Sequence, residues 1–152
     1  MNLRGARPRS GGYPNPETAM TTSPTAVIQS MYAAFGSGDI EAFLGQCSDD
    51  IDCSMLGSID LPYIGQFKGK QALLRWFGLV AEFDDIQAFE PREFFAGADH
   101  VTVLGWERTR AKPGQGVFET PWVHLFTLRD GKVARFVGMY DTAAVEVARR
   151  QG

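Results

Sequence analysis

Residues 119–145 read ETPWVHLFTLRDGKVARFVGMYDTAAV, and this stretch decides the fold. Two alternating apolar runs flank Asp130-Gly131, a dipeptide suited to the two-residue hairpin turn in which both residues take positive φ. The pattern predicts strands over 117–129 and 132–141. It changes to helical spacing at Asp141-Thr142, so a helix is expected over 142–149 with Asp141 as its cap. On the first strand Trp122, His124 and Phe126 share one face, while Val123, Leu125 and Thr127 share the other. Both faces are apolar, so alternation alone does not say which is interior. A lone histidine on one strand and Tyr140-Asp141 at the end of its partner can meet inside a curved sheet, which marks a candidate pocket.

Upstream, similar patterns predict strands over 86–95 and 100–111, with turns at 97–99 and 113–116. Consecutive strands with hairpin-length turns make an antiparallel meander. The preceding chain reads mainly as helix. Ser23-Pro24 supplies a cap and a first-turn proline, followed by Val27, Met31, Ala34 and Phe35 at helical spacing. Gly36-Ser37-Gly38 ends that helix, and Asp39 caps a short second one carrying Ile40, Phe43 and Leu44. Short strands are expected over 50–56 and 61–67. A third helix follows Gly69-Lys70, through Leu73, Leu74, Trp76, Phe77 and Val80. Helices first and a meander last predict an α+β fold: a curved antiparallel sheet wrapped around the N-terminal helices, a cone with an internal pocket.

Residues 1–22 hold three arginines and little apolar rhythm, so they read as a disordered tail. Met20 is then a candidate start, and 23–152 the domain. The hydrophobic fraction of 44%, with eleven Phe and three Trp, supplies a substantial core. A net charge of −3 argues against nucleic-acid or anionic-membrane partners, which need a concentrated basic face. No apolar run approaches the roughly 20 residues of a membrane span. Cys47 and Cys53 read as reduced structural thiols of a cytoplasmic protein. They lack CxxC spacing, and His100 and His124 are distant in sequence, so no metal site is expected.

The candidates for chemistry carry two readings each. His124 is a general base, general acid or donor to a ligand oxygen between aromatic walls, or a core histidine bonded to backbone. Asp141 is a helix cap or a carboxylate at the pocket floor or mouth, with Tyr140 beside it as a phenol donor. Arg108 and Arg110 share a face with Trp106, and Glu107 takes the opposite one. If the arginine face were interior, Arg108 would need a carboxylate partner, for which Asp141 is the candidate. Tyr32 is helix core, or turns its hydroxyl inward. The run Asp49-Asp50-Ile51-Asp52 reads as a solvated turn and strand start.

Several phrases resemble the nuclear transport factor 2-like superfamily, and within it SnoaL-like, ketosteroid isomerase-related proteins. They are Gly38-Asp39-Ile40-Glu41-Ala42, the run LPYIGQFKG at 61–69, Trp122-Val123-His124-Leu125-Phe126 before Asp130-Gly131-Lys132-Val133, and Tyr140-Asp141-Thr142-Ala143. The resemblance covers about 25–151 and implies a cone with an internal ligand pocket, and pairing through the outer sheet face as a homodimer. Against ketosteroid isomerase, the base position falls on Met55, the tyrosine position on Met31 and the second aspartate on His124. Against limonene epoxide hydrolase, its arginine resembles Arg108 and its last aspartate Asp141, while its other aspartate falls on Arg110. The expected function is a cofactor-free acid–base enzyme of isomerase, cyclase or epoxide-hydrolase type acting on a small, apolar, oxygenated molecule. The catalytic candidates are His124, Asp141, Tyr140 and Arg108. The ligand-binding candidates are Trp122, Phe126, Trp106, Tyr63, Tyr32, Met55 and Trp76. The alternative is a non-catalytic ligand-binding or dimerisation domain of the same fold.

Overall fold

The computed structural model describes residues 23–151, so the tail read at 1–22 lies outside the described residues. In chain order the elements are α1 (Pro24–Ser37), α2 (Ile40–Gly45), β1 (Cys47–Leu56), β2 (Gly65–Lys68), α3 (Lys70–Phe83), β3 (Asp84–Ala96), β4 (His100–Ala111), β5 (Val117–Arg129), β6 (Lys132–Tyr140) and α4 (Thr142–Arg149).

The local signals act as the sequence leads one to expect. Ser23 accepts from the Ala26 N–H at 3.2 Å, and Pro24 opens α1. Gly38 closes the helix at φ 75°, with its N–H directed to the carbonyls of Ala34 and Phe35. Asp39 caps α2 through the Ala42 N–H at 3.0 Å. Asp130 and Gly131 take φ of 54° and 75°, as a tight hairpin between β5 and β6 requires.

The six strands form one open, curved sheet in the order β2-β1-β6-β5-β4-β3. The last four strands make the expected antiparallel meander. β1 pairs parallel with β6 and antiparallel with β2, closing the opposite half of the sheet. The strand expected over 61–67 is shorter than that. Only residues 65–68 pair, because Leu61 and Tyr63 turn into the interior as loop residues and are buried there.

The helices fill the concave side. α1 buries Val27, Ile28, Met31 and Ala34, and full burial of such aliphatic side chains stabilises by about 1.5–3 kcal/mol each. Alternation along β5 resolves the parity question: Trp122 and Phe126 are 2% exposed, whereas Leu125 is 38% exposed. The face carrying His124 is therefore interior. α4 closes one end of the cone, burying Val145 and Ala148 against Leu61, Tyr63 and Phe118. It is tied to the β1–β2 loop by the Ser58 N–H on the Thr142 hydroxyl at 2.9 Å, and by the Ser58 hydroxyl on Glu146.

Candidate functional site

The concave face encloses a chamber of about 90 Å³, reached by side chains from all three N-terminal helices and from β1, β3, β4, β5 and β6. A bound water needs roughly 10–15 Å³ of such space, so the chamber holds several waters or a small ligand. Its walls are mostly aromatic. Trp122 lies flat against Phe89 at a centroid distance of 4.7 Å. Two glycines make this packing feasible. A Cβ on Gly105 would stand 2.1 Å from the Trp122 ring, and one on Gly138 would stand 2.7 Å from the Met55 sulfur.

One polar pole is His124. Its Nδ1 lies 2.7 Å from the Tyr32 hydroxyl, and its ring stacks on Trp122 at 4.0 Å. Phe126 and Phe136 pack edge-on against it. Burial pushes its pKa down to about 3, so the ring is neutral at pH 7. A group with so little proton affinity is a poor general base and a usable hydrogen-bond donor.

The second pole is acidic and phenolic. Asp84 at the start of β3, Glu107 on β4, Tyr63 in the loop before β2 and Tyr140 at the end of β6 all line the chamber. Arg149 reaches back from α4 to Asp84 Oδ1 at 2.9 Å and to the Tyr63 hydroxyl at 2.9 Å. The Tyr63 hydroxyl donates to the same carboxylate at 3.3 Å. Burial pushes Asp84 up to about 6 despite the guanidinium, which pulls the other way. Glu107 is 9% exposed, and its Oε2 accepts from the Thr109 hydroxyl at 2.7 Å. No basic side chain pairs with it among the described residues. Burial first, and the Asp84 charge with it, push Glu107 up to about 7 against the Thr109 hydrogen bond. Burial likewise holds the phenols of Tyr63 and Tyr140 above their ordinary value.

Glu107 pairs across the ladder with Thr120, while His124 pairs with Val103. The poles thus sit four residues apart along β4 and β5, about 13 Å between backbones. The acidic pole is where proton transfer is feasible near neutral pH. The histidine pole is where an oxygen can be held.

The sequence-derived candidates divide cleanly. His124, Tyr140, Trp122, Phe126, Tyr63, Tyr32, Met55 and Trp76 all line the chamber. Three do not. Asp141 is exposed and accepts from the Ala144 N–H at 3.2 Å, so it caps α4 and does not converge with His124. Arg108 points out of the sheet and pairs with Glu119 at 2.6 Å on the solvent-exposed face. Trp106 shares that outer face, with the Arg92 guanidinium 5.2 Å above its ring. Sequence reasoning missed Glu107, Asp84 and Arg149. The signal for Glu107 was present: if Arg108 and Arg110 face solvent, the residues that alternate with them, Glu107 and Thr109, face in. Asp84 and Arg149 gave no such signal, because their pairing spans 65 residues. Cys47 and Cys53 also line the chamber, and burial pushes their thiols up to about 11 and about 12, leaving both protonated.

An open sheet wound around helices with a chamber at its centre is a nuclear transport factor 2-like cone. The family model described as SnoaL-like domain matches residues 28–136, and the chain belongs to that family. No curated protein matches it by sequence. Among solved structures it is similar to an NTF2-like protein from Burkholderia xenovorans LB400 at 29% identity, covering 85% of this chain and 98% of that one, with a TM-score of 0.76. It is also similar to an NTF2-like protein of unknown function from Burkholderia pseudomallei K96243 at 20% identity, covering 82% and 95%, with a TM-score of 0.75. A third is TerC, co-crystallised with polyporic acid, at 24% identity, covering 82% and 95%, with a TM-score of 0.71. No described helix is long and apolar enough to cross a membrane.

Proposed function

We propose that this protein is a cofactor-free acid–base enzyme of isomerase, cyclase or epoxide-hydrolase type, acting on a small, apolar, oxygenated molecule. The observation that carries this reading is Glu107. It is a buried carboxyl with no cationic partner, facing an aromatic chamber and poised at about 7. A proton-transfer group works best with a pKa near the operating pH, and such help is typically worth about 10²–10⁴-fold. Glu107 takes or gives the proton. Tyr140, neutral and adjacent, donates to the oxygen on which charge develops, while the Tyr63 proton is held by Asp84. Arg149 keeps Asp84 ionised beside them and orients the Tyr63 hydroxyl.

His124 serves recognition in this scheme. A Tyr32 hydroxyl donating to Nδ1 leaves the proton on Nε2, which has no protein partner among the described residues and faces the chamber as a donor for a ligand oxygen. Asp141 and Arg108 take no part. TerC, which shares this fold, was co-crystallised with polyporic acid, an oxygenated molecule of the class proposed.

The test is a turnover screen of epoxides and unsaturated or polyketide-like carbonyl compounds by proton NMR, on wild type, Glu107→Gln and His124→Phe. Turnover that falls at least 100-fold in Glu107→Gln while folding is retained supports the reading. Binding without turnover in wild type favours a ligand-binding domain instead. A homodimer through the outer sheet face is also proposed, on the apolar rungs Leu104–Val123–Met139 and Leu125–Val137. Sedimentation equilibrium that returns a monomer at micromolar concentration excludes it.

A further inference from the structure

The chamber is small for the aromatic walls it carries. Its 90 Å³ falls well short of the roughly 300–1,000 Å³ usual for pockets that hold drug-sized ligands. A second space of about 390 Å³ lies against it, in a groove between the C-terminal half of α1 and the first half of β3. Tyr32, Phe35, Ile86 and Phe89 line both spaces. Chamber and groove therefore share a wall built by these four residues, and together they reach the usual range.

Three features keep that groove open. Gly36 presents no side chain over it, and a Cβ there would meet nothing within 4 Å. The β3–β4 ladder breaks register between Ile86 and Ala88, and again between Pro91 and Glu93, so the edge strand is not a regular ladder along the groove. The partition is thin: Phe35 and Phe89 meet edge to face at 5.1 Å, with Tyr32 at 6.2 Å from Phe89. Phe89 is also the cross-strand neighbour of Glu107, so the groove opens beside the acidic pole.

We infer that the ligand is two-part, with an oxygenated, unsaturated head in the inner chamber and an apolar extension that passes the Phe35–Phe89 partition into the α1–β3 groove. This rests on the reading of the inner chamber given above. The groove is bordered by Gln87 as well as by Ala88 and Pro91, so it suits an extension that is apolar along its length and tolerates a polar end.

The probes are phenol and the 4-alkylphenols from ethyl to hexyl, with binding followed by isothermal titration and by tryptophan fluorescence. Full burial of a methylene strengthens binding by about fourfold. The half-open groove predicts a 4-butylphenol to phenol affinity ratio on the order of 10 to 100. Two groove-filling variants, Pro91→Trp on the inward face of β3 opposite Gly105 and Gly36→Phe, are expected to cut that ratio towards one. Two variants on opposite walls are used because either alone can perturb its own element. A ratio that survives both fillings overturns the groove assignment and leaves the inner chamber standing. Failure of phenol itself to bind, or a phenol affinity that does not respond to Glu107→Gln, overturns the chamber reading and the two-part ligand with it.

Discussion

Replacing Glu107 with glutamine isolates what the buried charge costs. The carboxyl releases its proton near 4.5 in the unfolded chain and near 7 in the folded protein. For a raised folded value, the group's contribution to stability is fully present below pH 4.5 and is lost as the pH climbs through 7. At about 1.4 kcal/mol for each pH unit in that window, wild type gives up about 3 kcal/mol. Glutamine keeps the shape and still accepts the Thr109 hydroxyl that Glu107 accepts at 2.7 Å, but it cannot ionise. Glu107→Gln is therefore expected to match wild type at pH 4 and to exceed it at pH 8 by up to about 3 kcal/mol. Urea unfolding followed by tryptophan fluorescence at pH 4, 6 and 8 measures the difference directly. A gap that stays constant across the three conditions, or a wild type that is the more stable at pH 8, refutes the placement of Glu107 as an unpaired interior carboxyl.

His124 makes the opposite prediction. Burial lowers its pKa to about 3, so the unfolded chain binds a proton below about 6.5 that the native ring refuses. Its burden on stability is absent above pH 6.5 and grows by up to about 1.4 kcal/mol per pH unit below it, so His124→Gln is expected to flatten the acid limb of a urea titration. Arg149→Met leaves Asp84 buried without its cation. With side chains only 15% and 9% exposed, the expected loss at pH 8 is about 3–5 kcal/mol, and it shrinks towards pH 5 in the same unfolding assay. Gly105→Val drives a side chain into the Trp122 ring and is expected to cost about 3 kcal/mol or more with a shift in tryptophan fluorescence. Arg108→Ala removes an exposed pair and is expected to change stability by less than about 1 kcal/mol, and turnover not at all.

The fold was largely legible in the sequence because its signals are local. Asp130-Gly131 fixes one hairpin, and the alternation on each side of it fixes two strands. The caps at Ser23, Asp39 and Asp141 fix where three helices begin. What stayed hidden is what depends on pairs distant in the chain. Nothing in residues 47–56 announces a parallel neighbour at β6. Nothing near Asp84 announces an arginine at the end of α4. The site shows the same division. Aromatic and phenolic residues such as Trp122, Tyr63 and Tyr32 were identifiable, since bulky rings on one strand face or in a tight loop tend inward. Asp141 and Arg108 drew attention by their place at a strand end and on a strand face, and by resemblance to another enzyme's site, yet a carboxylate just before a helix has a cap to make and a strand arginine has solvent to reach. Glu107 hid among charged neighbours whose alternation held the answer.

The chamber's charge state constrains what it accepts. At pH 7 the histidine is neutral, the phenols are neutral, and Glu107 is divided between its two forms. The ion pair at the chamber among the described residues, Arg149 with Asp84, is internally satisfied. An anionic ligand would meet no free cation among the described residues here, and would face Glu107 and Asp84 at close quarters in a medium that screens little. A neutral ligand avoids that cost. Charge that develops on it during proton transfer meets donors already in place, the hydroxyl of Tyr140 and, at the other pole, the free nitrogen of His124. Such groups favour the charged transition state over the neutral ground state, which is the condition for raising turnover and not merely tightening binding. A pocket built only to retain a neutral apolar molecule has no use for an uncompensated carboxyl held at about 7, because that group costs stability across the neutral range. That cost at Glu107 is what supports the proposed acid–base reading of the chamber.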